Sequence, residues 1–270
     1  MKLVLVGSVI VFLALLGGGI PSHKPVTRAG SPNSEARTPV IVELFTSEGC
    51  SSCPPADALL SQLDAQQAIA GAEVIALEEH VGYWDQLGWK DPFSSPAWTA
   101  RQQAYAGAIG DGNSYTPQMV VDGRSEFVGS RERAAHQIIQ DAARRTKVEV
   151  NLSPGGLIGG NRLQLTVRAG KLVENANGDT AEVWLAVTER GLHSDVSRGE
   201  NAGEDLHHAP VLRSLQKIGV ADAGKAPSFT GNPEVKFENS WNRENLRVVV
   251  FIQEKKNRRI LGGGTARLTP

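Results

Sequence analysis

The sequence predicts an α/β domain followed by an all-β antiparallel domain, and three observations carry that prediction. Two apolar runs, Pro39 to Phe45 and Ala72 to Glu79, flank a stretch with helical spacing; two more helical stretches follow before Arg145; beyond it the apolar segments alternate with period two. At 270 residues, 40% of them hydrophobic, the chain exceeds a typical single domain and has ample material for two cores.

At the N-terminus, Met1-Lys2 precedes an apolar run from Leu3 to Leu16 that ends at Gly17-Gly18-Gly19. Residues 1–20 are expected to be a secretory signal, since the run is shorter than the roughly 20 apolar residues of a membrane-spanning helix. An uncleaved N-terminal anchor is the alternative, because no clean A-x-A site is present. No cysteine directly follows the run, so an anchor on a lipid-modified cysteine is not expected. Export implies a periplasmic or secreted protein in surroundings where thiols tend to be oxidised. Residues 21–38, rich in Pro, Ser and charge, read as a flexible tether.

The α/β domain is expected over residues 39–146. Pro39 to Phe45 suits a buried strand, Ala56 to Gln67 a helix and Ala72 to Glu79 a second strand, together a βαβ unit with parallel pairing and a right-handed crossover. Ser95-Pro96 supplies an N-cap and an N1 proline for a helix through about Ala106. Gln118 to Val121 and Ser125 to Val128 flank Asp122-Gly123, a two-residue hairpin signal. A last helix over Ser130 to Arg144 sets Ala134, Ile138, Ile139 and Ala142 on one face. Over residues 147–270, Val148/Val150/Leu152, Leu163/Leu165/Val167, Val183/Leu185/Val187 and Val248/Val250/Ile252 predict a β-sandwich.

A net charge of −1 and a pI near 6.6 leave no electrostatic footprint for nucleic acid or an anionic membrane. Gly107-x-x-Gly110-x-Gly112 and Gly262-Gly263-Gly264 lack the strand, helix and Lys-Ser/Thr context of phosphate loops. Lys255 to Arg259 reads as a solvated hairpin turn.

The chemistry concentrates in Cys50-Ser51-Ser52-Cys53, which holds both cysteines of the chain. As a staple the pair would enclose only four residues and contribute roughly 2 kcal/mol, little for a chain of this size. As half of a structural zinc site it lacks further cysteines; two thiolates with His80 as third ligand would instead suit Cu(I). As a redox couple, Cys50 sits at a helix N-terminus, where unpaired N–H groups and the dipole favour thiolate, and Cys53 is the resolving thiol one turn further in. Glu48, two residues away, opposes thiolate formation.

The order β-α-β-α-β-β-α is the thioredoxin order, and "ELFTSEGCSSCPPAD", "HVGYWDQLGWKDPFSSPAWTARQQAY", "YTPQMVVDG", "RGENAGEDLHHAPVLRSL" and "NLRVVVFIQEKKNRRILGGG" resemble a family of exported bacterial thioredoxin-like proteins catalogued as a domain of unknown function. The resemblance implies a thioredoxin-like α/β fold ahead of the sandwich, a redox-active disulfide, and a cis Pro117 after Thr116 that offers its backbone to a substrate strand. It also sets Glu43 near the position of a buried carboxylate that takes the proton of the resolving thiol, one residue out of register; equally, Glu43 is a strand-end carboxylate in a hydrogen-bonded network. His80 and Trp84 follow the second strand and are candidates for a substrate-binding site, Trp84 as a groove wall and His80 as a group that exchanges protons near neutral pH, though such aromatics equally cover a sheet end and such a histidine is more often a hydrogen-bonded structural group. His207 and His208, as strand neighbours, point to opposite faces and do not chelate together. The expected function is an exported thiol–disulfide oxidoreductase acting on protein thiols, without cofactor. A Cu(I)-binding or delivery protein and a non-catalytic binding module are the alternatives.

Overall fold

A computed structural model of the chain describes residues 37–172 and 178–268. The predicted signal, 1–20, and most of the predicted tether lie outside the described residues. The tether's last two residues are within them: Arg37 donates to the carbonyls of Ala72 (2.7 Å) and Ile69 (3.0 Å), and Thr38 opens the first strand.

The first half follows its local signals closely. Strand β1 (Thr38–Thr46), helix α1 (Pro54–Gln66) and strand β2 (Ala72–His80) form a βαβ unit, with β1 and β2 parallel from Thr38↔Ala72 to Thr46↔His80. Helix α2 (Pro96–Ile109) starts at Ser95, whose side chain accepts from the Ala97 amide. Strands β3 (Gln118–Val121) and β4 (Ser125–Val128) pair up to Val121↔Ser125 and are joined by three residues, Asp122-Gly123-Arg124, one more than the expected two; Asp122 and Gly123 are at positive φ (51° and 59°), and the Arg124 amide closes the turn on the Val121 carbonyl (3.0 Å). Gly123 is required here on a second count: a Cβ would stand 2.0 Å from the carbonyl oxygen of Arg258. Helix α3 (Glu132–Ala143) buries Ala135, Ile139 and Ala142.

In the second half, β5 (Val150–Ile158), β6 (Arg162–Ala169), β7 (Ala181–Glu189), β8 (His193–Asp195), β9 (Asp205–His207), β10 (Val211–Ala221), β11 (Phe229–Gly231), β12 (Glu234–Lys236), β13 (Leu246–Glu254) and β14 (Ile260–Arg267) follow. The alternating residues Leu163, Leu165, Val167, Val183, Leu185, Val187, Val248, Val250 and Ile252 all enter one apolar core.

The expected thioredoxin-like α/β fold with a separate sandwich is corrected at this level. One mixed eight-stranded sheet, in the order β14-β13-β7-β10-β2-β1-β3-β4, runs through both halves, and a smaller sheet of β5, β6, β11 and β12 packs beside it. The junction is β10, parallel to β2 at Val211↔Glu78 and antiparallel to β7, with the Glu78 amide bonded to the Pro210 carbonyl at 3.0 Å. The physical reason is edge protection: β2 is buried along its length, and a parallel apolar strand needs a neighbour on both sides. The sequence hides this because β10 has no clean alternation and its partner β2 lies far upstream, beyond seven intervening strands.

Layers follow from the pleat. On one face of the large sheet, Val42, Leu44, Val74 and Ala76 pack under α1 and α3, while Val183, Leu185, Val248 and Val250 pack under the small sheet. On the other, Ile41, Ile75, Leu77, Ala186, Val249 and Phe251 cluster with Trp98 of α2. The glycine run 262–264 lies within β14, where a Cβ on Gly262 or Gly264 would meet the carbonyl oxygens of Val148 (2.1 Å) or Val150 (2.3 Å).

Candidate functional site

The chain leaves β1 at Thr46 and turns sharply: Cys50 N–H donates to the Ser47 carbonyl (3.1 Å) and Gly49 N–H to Ser47 Oγ (3.1 Å). Cys53 is the N-cap of α1, and Pro54 and Pro55, which have no amide hydrogen to leave unpaired, fill the first turn. Cys50 and Cys53 are joined in a disulfide, with Cα atoms 5.4 Å apart, at the N-terminal tip of this helix.

The disulfide is covered. Cys50 is 1% and Cys53 0% exposed, yet neither belongs to an apolar core cluster. The cover is the loop between β8 and β9: Asn201 Nδ2 donates to the carbonyls of Glu48 (2.8 Å) and Cys50 (3.1 Å), and Glu200 accepts from Ser51 N–H (3.1 Å) and Oγ (2.7 Å). Those Ser51 hydrogen bonds hold the Glu200 carboxyl below its ordinary range. A latch built from these four hydrogen bonds, two of them at the exposed Glu200, is weaker than a packed core. Asn201→Ala combined with Glu200→Gln is therefore expected to speed reduction of the disulfide by a small thiol several-fold without loss of fold, measured as thiol release at fixed dithiothreitol.

Trp84 reaches the same loop, Thr116 reaches Trp84, and Pro117 lies near the first turn of α1. Trp84 Nε1 donates to Thr116 Oγ1 (2.9 Å), and Trp84 Cβ would stand 3.2 Å from a Cβ on Gly49, next to Cys50. The Thr116–Pro117 bond is cis. Pro117 and Ala56 of the first turn of α1 converge on one point, since a Cβ at Gly129 would lie 3.4 Å and 3.1 Å from their Cβ atoms.

His80 and Glu43 take the structural alternative that the sequence left open, as buried members of hydrogen-bonded networks. His80 is buried and faces inward: Nδ1 is 2.7 Å from Asp91 Oδ2 and Nε2 is 3.4 Å from Glu78 Oε1, so it forms no groove wall. Burial opposes its charged form, but Asp91 and Glu78 outweigh that and hold its pKa well above the ordinary imidazole value. Glu43 points to the α2 face of the sheet, away from α1, where Arg101 binds it at 2.5 Å and Tyr105 donates to it. The one-residue offset noted in the sequence is thus a change of face, because strand side chains alternate.

The acidic group on the cysteine side is Asp57, which sequence reasoning missed although it stands four residues after Cys53, on the same helix face. Its carboxylate accepts from Thr46 Oγ1 at 2.6 Å, and burial, with the nearby Glu78 charge, pushes its pKa up to about 8. Beside it His208 is buried between Glu48 (3.0 Å) and Glu78 (3.3 Å), while its neighbour His207 points outward to Asp205. Among the described residues, Glu78, His80 and His208 form the one group of three or more His, Cys, Asp or Glu side chains within ligand reach of each other, and neither sulfur belongs to it.

Similarity to known proteins supplies a fold and no activity. A family model described as "Protein of unknown function (DUF1223)" matches residues 41–253. The crystal structure of protein AGR_C_4864 from Agrobacterium tumefaciens aligns with a TM-score of 0.63 at 26% identity, over 85% of this chain and 94% of that one. HBP35 of Porphyromonas gingivalis aligns with a TM-score of 0.62 at 17% identity, over 86% and 76%. No curated protein matches the chain. No helix among the described residues is long and apolar enough to cross a membrane.

Proposed function

Since the chain belongs to the DUF1223 family, whose description names no activity, we propose a function from the site itself: an exported thiol–disulfide oxidoreductase that exchanges its Cys50–Cys53 disulfide with protein thiols. The observation that carries the proposal is the disulfide at the tip of α1, buried beneath a loop that is hydrogen-bonded over it. A bridge closing so short a loop does little for stability, so a structural purpose accounts for it poorly.

In the oxidising direction a substrate thiolate attacks Cys50 Sγ. The Cys50–Cys53 bond breaks, a substrate–Cys50 bond forms, and Cys53 leaves as a thiolate that takes up a proton. A second substrate thiolate then attacks the substrate sulfur, releasing Cys50; the substrate has lost two electrons and the cysteine pair has gained them. The reverse sequence reduces a substrate disulfide. Asp57, one turn below Cys53, is the acid that supplies that proton and the base that removes it. Trp84, Thr116 and Pro117 are the proposed contacts for the substrate strand once the loop of Asn201 moves aside.

The test is Cys53→Ala expressed with its native export segment. Cys50 then has no resolving partner, and disulfide-linked adducts that disappear on reduction are expected, absent in Cys50→Ala/Cys53→Ala. Absence of adducts with both cellular proteins and a reduced model substrate would refute exchange.

A further inference from the structure

Behind the disulfide lies a cluster that electron transfer between sulfurs does not use. We propose that Glu78, His80 and His208 form a binding site for a divalent transition-metal ion of the zinc class, with the two imidazoles and one carboxylate as ligands. This inference does not rest on the redox reading, since no sulfur takes part.

Each imidazole has one nitrogen fixed to a carboxylate behind it, His80 Nδ1 to Asp91 (2.7 Å) and His208 Nε2 to Glu48 (3.0 Å), which turns the other nitrogen toward Glu78. That is how metal-binding histidines are oriented: the outer nitrogen engages a carboxylate, which fixes the ring and makes the inner nitrogen more basic. The carboxylates are themselves held, Asp91 by the amides of Glu48 (2.9 Å) and Phe93 (2.9 Å), Glu48 by Trp89 Nε1 (2.6 Å).

Spacing fits at the carboxylate: Glu78 Oε1 lies 3.4 Å from His80 Nε2 and 3.3 Å from His208 Nδ1, and the three ligand atoms together lie within 4.8 Å of one another, so the imidazoles would close on the ion. Ligands roughly 2.0–2.1 Å from one tetrahedral ion stand about 3.3–3.4 Å apart. Three protein ligands of these types go with a fourth, exchangeable position in zinc sites.

Bonding is also unmet: Glu78 Oε2 is buried without a hydrogen-bond partner, and His80 Nε2 has none beyond its 3.4 Å approach to Glu78 Oε1, on side chains 0% and 1% exposed. A buried orphan of this kind is costly unless something engages it. Charge agrees: the carboxylates of Glu48, Glu78 and Asp91 engage the two imidazoles, a setting that favours a dication. Soft thiol donors are absent from the cluster, so imidazole–carboxylate preference points to zinc-class ions over Cu(I). A bound ion would tie β2 to the segment after β9, and thereby the disulfide loop to the loop that covers it.

Full-length protein with its disulfide intact, stripped by a chelator and dialysed, is titrated with zinc chloride by calorimetry, and retained zinc is counted by mass spectrometry. One zinc per chain is expected. His208→Ala and Glu78→Gln should each weaken binding at least tenfold, and Asp91→Asn, which removes only the outer carboxylate, by about 10- to 100-fold. Cys50→Ser/Cys53→Ser should bind as the parent does. Cobalt(II) in the parent should show visible d–d bands of low-coordinate nitrogen and oxygen ligation without thiolate charge transfer, a reading that needs no variant to fold. Folded parent protein that takes up no zinc, unchanged uptake in folded His208→Ala, or loss of uptake in the cysteine variant would each overturn the site; the cluster would then be a protonated imidazole–carboxylate network.

Discussion

Arg101→Met is expected to lower the folding free energy by about 3–5 kcal/mol, the cost of leaving a buried charge without its partner. Arg101, on α2, binds Glu43 of β1 through Nε (2.6 Å) and Nη2 (2.5 Å), Gln253 of β13 (3.1 Å) and Tyr105 (3.0 Å), and lies 3.4 Å from Glu79 of β2. All are buried, so the arrangement ties α2 to strands from both ends of the chain. Burial, with the neighbouring Glu43, holds Glu79 well above the ordinary carboxyl range despite Arg101, so Glu79 is the member that keeps its proton. Removing the guanidinium strands the Glu43 charge in an apolar layer. Urea denaturation of Arg101→Met, Glu43→Gln and the double variant measures this: the double variant should recover much of the loss, because it removes the stranded charge as well. Strictly additive losses, or a single-variant loss below about 1 kcal/mol, would contradict the account. Disulfide reactivity should change little, since Glu43 and the sulfurs lie on opposite faces of the sheet.

Asp57→Asn is expected to slow disulfide exchange roughly 10²-fold near neutral pH, the lower range of what one positioned acid or base contributes. Thr46 can still donate to Oδ1, so the packing is retained while proton transfer is lost. In the parent, the pKa near 8 divides two regimes. Below it Asp57 carries the proton that the departing Cys53 sulfur needs when the disulfide opens; above it the carboxylate can take the Cys53 proton when the disulfide closes. The rate profile should therefore show an inflection near pH 8 that vanishes in Asp57→Asn. Stability gives an independent check. Because the folded state holds this proton up to about pH 8 and the unfolded state releases it near the ordinary 3.8, the stabilisation is full below pH 3.8 and is lost as pH rises through about 8. Asp57→Asn should flatten that decline, and an unchanged slope would mean the carboxyl is not protonated in the folded protein.

Local signals were legible from the chain where they rest on near neighbours. The apolar runs, the Ser95-Pro96 start, the Asp122-Gly123 hairpin and the inward alternation of Leu163 to Ile252 each depend on a few adjacent residues, and the structure has them all. The cysteine spacing likewise implied a pair within disulfide reach at a helix tip. Asp57 was equally readable, four residues beyond Cys53, but its protonation was not, because that depends on burial and on Glu78.

The amino-acid sequence by itself determined the helices, strands β1–β4, the alternating strands β5, β6, β7 and β13 and the position of the two sulfurs, since backbone preference and side-chain period act over a turn or a hairpin. Only the tertiary structure decided that β10 docks on β2 and joins the halves into one sheet, that His208 meets Glu78 across 130 residues, and that Asn201 and Glu200 cover the disulfide. Such contacts form where closing a long loop is repaid by burial and pairing, and neither the register nor the facing side chain is encoded in the residues next to it.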